Sequence, residues 1–217
     1  MVGQMRGMPG LFQDINPPYA KSLLSLLNSE RHSPEGLFYP NTYNFSYGFT
    51  MSQLFRKAHQ LMQQNLQAVW QHRAENLPYK SPYQLLIAAS LIESEARLNR
   101  EQPIISSVLV NRLRRGMYLQ FDPTVIYGVS DKGPNEPITR TDLRRKTAHN
   151  TYVIKGLPKT PICNPGIASI EAALHPAKTD YFYFVAKGEG RHSFSKTLKE
   201  HNINVKKWRK AQEKISK

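Results

Sequence analysis

Apolar positions recur at helical spacing through most of the chain, and the breaks between the periodic runs carry Ser, Thr, Pro and Gly in helix-starting or turn-forming places. A short amphipathic helix is expected within 17–30, closed by the turn-forming cluster Ser33-Pro34-Glu35-Gly36. The aromatic run 37–45 reads as extended, with Pro40 confining it to an edge or irregular strand. Thr50 followed three residues later by Gln53 reads as a capping box, and Leu54, Ala58, Leu61, Met62, Leu66 and Val69 carry a long helix from there to about residue 75. A second start is written in Ser81, Pro82 and Gln84: a cap, a proline at the first helical position and a Gln three after the cap. In the helix it opens, Leu85, Ala89, Ile92 and Ala96 form one stripe, flanked by Leu86 and Ala88. Glu93 falls on the shoulder of that stripe. Glu95, two positions on, projects to the far side, so the two carboxylates do not act together on one bond.

Further along, Pro103 opens a helix with Ile105, Val108, Leu109 and Leu113 inward, and Gly116 is placed to end it. The stretch 117–165 is polar and rich in Pro and Gly; a segment this long in a compact domain is functional or hides short elements. Asn164-Pro165 is expected to cap a short helix ending at Leu174. Residues 181–186 read as a strand, Gly188-Glu189-Gly190 as a turn and 192–194 as the return strand of a hairpin. Thr197 and Glu200 cap a final helix whose tail, 206–217, is basic. Helix and hairpin signals without βαβ alternation predict an α+β fold, helices packed on a small antiparallel sheet, with the candidate catalytic Glu on a helix.

Composition narrows the chemistry. The chain has 217 residues, 40% of them hydrophobic, which excludes disorder for most of it, and no apolar run approaches bilayer-spanning length. Thirty Lys and Arg against sixteen Asp and Glu give +14, a field that attracts an anionic partner without saying which. A lone cysteine, Cys163, excludes an intrachain disulfide and a cysteine zinc site. The seven histidines lack helical or strand ligand spacing, and no Gly-rich phosphate loop is present, so neither a metal nor a cofactor is expected. Basic residues from Arg112 to Lys146 and in the C-terminal helix come without the motifs of a nucleic-acid module. Carboxylates remain. Glu93, on the edge of an apolar face, is expected to be partly desolvated, which raises its pKa toward what a general acid needs; an ordinary surface Glu is the alternative.

The blocks Leu86-Ile87-Ala88-Ala89-Ser90-Leu91-Ile92-Glu93-Ser94-Glu95-Ala96, Val110-Asn111-Arg112-Leu113 to Gly116-Met117, and Leu119-Gln120-Phe121-Asp122-Pro123-Thr124-Val125-Ile126-Tyr127-Gly128 closely resemble the endolytic murein transglycosylases, the MltG/YceG-like family. Asn150-Thr151-Tyr152, Gly156-Leu157-Pro158, Asn164-Pro165-Gly166, Ala173-Leu174-His175-Pro176-Ala177-Lys178 and Tyr183-Phe184-Val185 through His192 and Phe194 follow in the family's order. The resemblance runs from about residue 35 to 208.

It implies lytic cleavage of the β-1,4 bond from N-acetylmuramic acid (MurNAc) to N-acetylglucosamine (GlcNAc), leaving a 1,6-anhydroMurNAc end. One glutamate, Glu93 by this carry-over, serves as acid and then base. Gln120, Asp122, Thr124, Tyr127, Asn150, Tyr152 and Asn164 are expected to line the substrate cleft. Asp122-Pro123-Thr124 also reads as a capped turn, and Asn150 and Asn164 as residues that fix loops; His192 lies near the cleft or is simply packed. Lys159-Thr160 stand where the family commonly has Pro-Gly, which alters the loop there. Residues 1–45 are expected to be the remnant of a membrane anchor and LysM-like region, with the catalytic domain at 46–217. The implied partners are peptidoglycan strands, peptidoglycan synthases and, through the anchor, the membrane, but no nucleic acid; the implied place is the periplasmic side of the inner membrane. A lysozyme-like muramidase and a non-catalytic basic wall- or nucleic-acid-binding module are the alternative readings.

Overall fold

Leu85, Leu86, Ile87, Ala88, Ala89, Ser90, Leu91 and Ile92 are all buried, so the helix that carries them, Pro82–Glu95, is enclosed rather than laid against one surface. Its apolar face is therefore not a stripe, and the expected amphipathic edge does not exist. The structure, a computed structural model, describes residues 8–17, 19–129 and 136–215. Residues 1–7 of the expected N-terminal segment, 130–135 of the long polar stretch and 216–217 of the basic tail lie outside the described residues.

In chain order the elements are β1 (Leu11–Phe12), α1 (Tyr19–Leu26), β2 (Phe49–Thr50), α2 (Met51–Gln71), α3 (Pro82–Glu95), a 3-10 turn (Asn99–Glu101), α4 (Gln102–Arg114), α5 (Asp122–Gly128), α6 (Arg140–Arg144), α7 (Ile167–Leu174), β3 (Tyr183–Gly188), β4 (Arg191–Ser195) and α8 (Leu198–Ile215). The α+β class holds. α7, α4, α5 and α2 all pack on α3, and α8 lies on the β3–β4 hairpin. The hairpin pairs antiparallel, Phe184 opposite Phe194, and Phe184 sets its ring edge-on to Phe121 at 5.5 Å, joining hairpin to core. Leu85, Leu91, Ile92, Ile105, Leu109 and Ile170 are at or near zero exposure; each such side chain contributes about 1.5–3 kcal/mol by leaving water.

Local capping chemistry sets several boundaries. Thr50 Oγ1 accepts from Gln53 N–H at 3.2 Å while Gln53 Oε1 accepts from Thr50 N–H at 2.9 Å, the reciprocal box expected for α2. Ser81 Oγ accepts from Gln84 N–H at 3.3 Å ahead of α3, and Glu200 N–H donates to Thr197 Oγ1 at 3.2 Å ahead of α8.

Residues 37–45 form no strand. The Phe38 N–H donates to Asn164 Oδ1 and the Tyr39 N–H to Ala58 C=O, so the backbone is satisfied by a side chain and a helix instead of a ladder. The polar stretch 117–165 contains α5 and α6, which are too short to show a period. α7 starts after Gly166, two residues later than Asn164-Pro165 suggested.

A second cluster, Leu11, Ile15, Leu23, Leu37 and Phe38 with Met51, Leu54, Phe55 and Ala58, joins the N-terminal segment to α2. The expected division at 45/46 runs through this cluster, and the parallel β1–β2 pair also bridges it. Gly36 in this region has φ +81° and a Cβ there would sit 2.5 Å from Pro161, so only glycine fits. No helix among the described residues is long and apolar enough to cross a membrane.

Candidate active site

The last turn of α3 sends its two carboxylates to different neighbours. Glu93 Oε2 accepts from the Gly166 N–H at 3.1 Å and from Ser169 Oγ at 2.6 Å. Gly166 is the N-cap of α7 and has no side chain; Glu93 satisfies its N–H from another helix and sets a carboxylate against the positive end of α7. The Glu93 residue is exposed. The desolvated edge position expected of it is not what the structure holds, because α3 emerges from its buried middle, Leu85 to Ile92, just before this turn.

Glu95 has the properties expected of Glu93. Its carboxyl is desolvated, and burial together with the Asp122 charge pushes its pKa from 4.5 to about 8. Oε2 is buried and has no hydrogen-bond partner. At neutral pH this carboxyl is protonated, with one oxygen uncommitted.

Asp122, the first residue of α5, is exposed and accepts a 2.5 Å hydrogen bond from the Tyr152 hydroxyl. Burial, and after it the Asp122 charge, hold the Tyr152 phenol far above its ordinary range, so it stays a donor. The two segments are fastened side by side: Gln120 N–H donates to Thr151 C=O at 3.1 Å, Phe121 N–H to Thr151 Oγ1 at 3.0 Å, and the Thr124 and Thr151 hydroxyls lie 2.9 Å apart. Gln120 itself takes φ +55°, an uncommon conformation for a non-glycine residue that turns the chain into α5. Arg112, buried in α4, fixes that turn from beneath, with Nη1 donating to Leu119 C=O at 2.6 Å and Nε to Phe182 C=O at 2.6 Å. Among the described residues no three His, Cys, Asp or Glu side chains gather as a metal-binding group.

Of the residues expected to line the cleft, Asp122 and Tyr152 lie near enough to Glu95 to feel its charge, and Gln120 is exposed at the turn ahead of α5 with its Oε1 accepting from Arg112 Nη1 at 3.4 Å. Thr124 and Asn150 do not line it: Thr124 is fully buried and bonded to Phe121 C=O and Thr151, and Asn150, 1% exposed, ties Asp142, Leu143 and Arg145 carbonyls through Nδ2 while its Oδ1 accepts from Tyr152 N–H. Asn164 spends its Oδ1 on the Phe38 N–H and so fastens a loop. Tyr127 is half-buried, edge-on to His149 at 4.8 Å. His192 is packed rather than open, its Nδ1 2.8 Å from Glu101 Oε2. Sequence reasoning set Glu95 on the far side of the helix without a role and did not name Ser169, which nothing in the local pattern announces.

An enclosed helix ending in a protonated carboxyl, set against a carboxylate and a phenol on a neighbouring loop, is a general acid–base arrangement. Residues 10–207 match the YceG-like family, and the chain belongs to it. It is 42% identical over 179 residues to the endolytic murein transglycosylase of Bacillus subtilis (strain 168), covering 82% of this chain and 49% of that protein. The endolytic murein transglycosylase of Streptococcus pneumoniae serotype 2 (strain D39) is 28% identical over 194 residues, 87% of this chain and 35% of that one. The crystal structure of the yceG-like protein lmo1499 from Listeria monocytogenes superposes with a TM-score of 0.71 at 35% identity, covering 87% of this chain and 64% of that chain. The chain thus spans about half the length, or less, of the curated relatives it matches.

Proposed function

We propose that this chain carries the catalytic machinery of an endolytic lytic transglycosylase that cuts the MurNAc-β-1,4-GlcNAc bond of peptidoglycan, with Glu95 rather than Glu93 as the acid and base. The observation that carries the assignment is the desolvated Glu95 carboxyl with its unpartnered Oε2 beside Asp122. Glu93, by contrast, has its Oε2 engaged at the start of α7.

In the first step Glu95 gives its proton to the glycosidic oxygen as the bond from that oxygen to muramoyl C1 breaks, and GlcNAc leaves with a free 4-hydroxyl. The Glu95 carboxylate then takes the proton of the muramoyl C6 hydroxyl as O6 bonds to C1 and closes the 1,6-anhydro ring. No water is consumed, and Glu95 ends protonated as it began. Asp122 sets negative charge near the oxocarbenium-like C1 and disfavours early ionisation of Glu95. Tyr152 holds Asp122 in place, and Gln120 offers an exposed amide to the sugar's N-acetyl arms. On this reading the protein acts on nascent strands at the outer side of the inner membrane, beside peptidoglycan synthases.

Asp122 also favours a second reading. A carboxylate acting together with a protonated Glu is the equipment of a muramidase, in which Asp122 would serve as nucleophile or activate a water. The relatives' names weigh toward the lyase. The assignment to Glu95 is tested with Glu95→Gln and Glu93→Gln on uncrosslinked strands: Glu95→Gln is expected to lose cleavage by about a thousandfold or more while Glu93→Gln keeps most of it, and the reverse order would return the role to Glu93.

A further inference from the structure

Away from Glu95, a cavity of about 1260 Å³ opens beside the N-terminal half of α3, between α2, the segment after α1 and the loop 156–159. Its floor is aliphatic, made by the buried Met62, Leu86 and Ile87. Its rim is cationic: Arg31, Lys80 and Lys159 are exposed, none forms an ion pair among the described residues, and Glu30 is the one acid on the lining. Arg31 is held in place over the Tyr83 ring, 3.9 Å from its centroid.

This combination selects a ligand class. A sugar ring would use Tyr83 as a stacking platform, but the Arg31 guanidinium already covers that face. An aliphatic floor under several unpaired cations suits a chain with short apolar side chains and carboxylates. Tyr83 precedes Glu95 by twelve residues of one helix, which places the groove about 18 Å along the α3 axis from the acid. Lys159 sits on the same 145–166 loop that carries Tyr152, so one loop reaches both groove and site.

We infer that this groove binds the carboxylate-bearing stem peptides of the glycan strand whose sugar backbone sits at Glu95, so that the protein selects strands that still carry their peptides. The inference rests on the transglycosylase reading and names part of its substrate recognition.

The test is binding of the 217-residue chain, in a Glu95→Gln background that keeps strands intact, to uncrosslinked peptidoglycan strands and to the same strands stripped of peptides by an amidase. Peptide-bearing strands are expected to bind about tenfold tighter at low salt, as two or three partly exposed charge pairs allow. Lys80→Gln with Lys159→Gln, mild surface changes, is expected to erase that difference and leave stripped strands unaffected. Equal affinity of the parent for both strands would overturn the inference, as would an equal loss on both from the double variant. Phosphatidylglycerol vesicles form the third arm: loss of vesicle binding in the double variant with peptide discrimination intact would assign the groove to a lipid surface and overturn the inference. Cleavage by the unsubstituted chain is followed in parallel. Discrimination without any new strand ends would count for the groove and against the transglycosylase reading.

Discussion

Replacing Glu95 by Gln changes the pH dependence of folding in a way fixed by the environment of its carboxyl. The folded protein holds this proton up to about pH 8, whereas an unfolded chain releases it near 4.5. Unfolding therefore releases a proton between those values, and the parent loses stability as pH rises through that window. At about 1.4 kcal/mol per pH unit the full displacement corresponds to roughly 5 kcal/mol at pH 8 and above. Gln has no proton to lose, so the stability of Glu95→Gln minus that of the parent should be flat below pH 4.5 and climb by that amount toward pH 8. Any constant cost of seating the amide moves the whole curve and leaves its rise untouched. Urea unfolding of both proteins at half-unit steps from pH 4 to 8.5 gives the difference directly. A carbon-13 titration of the Glu95 carboxyl checks its midpoint. A difference that stays flat across the window, or a midpoint near 4.5, would refute the desolvation argument and with it the case for Glu95 as the acid.

The remaining predictions concern the shell around this group. Glu93→Gln removes the charge set against the start of α7, so chemical denaturation should show a loss of about 1 kcal/mol with cleavage reduced less than tenfold. Asp122→Asn takes away the charge that helps hold Glu95 protonated, so the alkaline limb of the cleavage–pH profile should move to lower pH; an unmoved limb would separate Asp122 from Glu95. Asn150→Ala loses bonds to three carbonyls and to Tyr152 N–H, and should cost about 2–3 kcal/mol in urea unfolding. If Asn150 touched the substrate after all, KM would rise more than stability falls.

Features written in short-range chemistry were legible in the sequence. The Thr50–Gln53 box, the Ser81 cap and the hairpin around Gly188-Glu189-Gly190 all depend on residues within a few positions of one another. Features that depend on distant partners were not. Whether 37–45 is a strand turned on Asn164, more than a hundred residues away, and α5 and α6 are each too short for a hydrophobic period to register. The environments of Glu93 and Glu95 differ from the expected ones for a related reason. Periodicity ranks helix positions by how apolar their own face is, but the middle of α3 is buried on every face, so the environment at its end is set by α7 on one side and by α5 with Tyr152 on the other. The motif that holds both carboxylates was thus legible, while the surroundings of each needed the fold.

The central claim is that a single protonated carboxyl, Glu95, cuts the strand without water. Mass spectrometry of the ends made from uncrosslinked peptidoglycan in water enriched in oxygen-18 tests it most directly. The account predicts new muramoyl ends lighter than a reducing end by one water and free of the heavy isotope, formed by the parent and by Glu93→Gln and absent with Glu95→Gln. Reducing ends carrying oxygen-18 would contradict it and establish hydrolysis, with Asp122 as the second carboxylate.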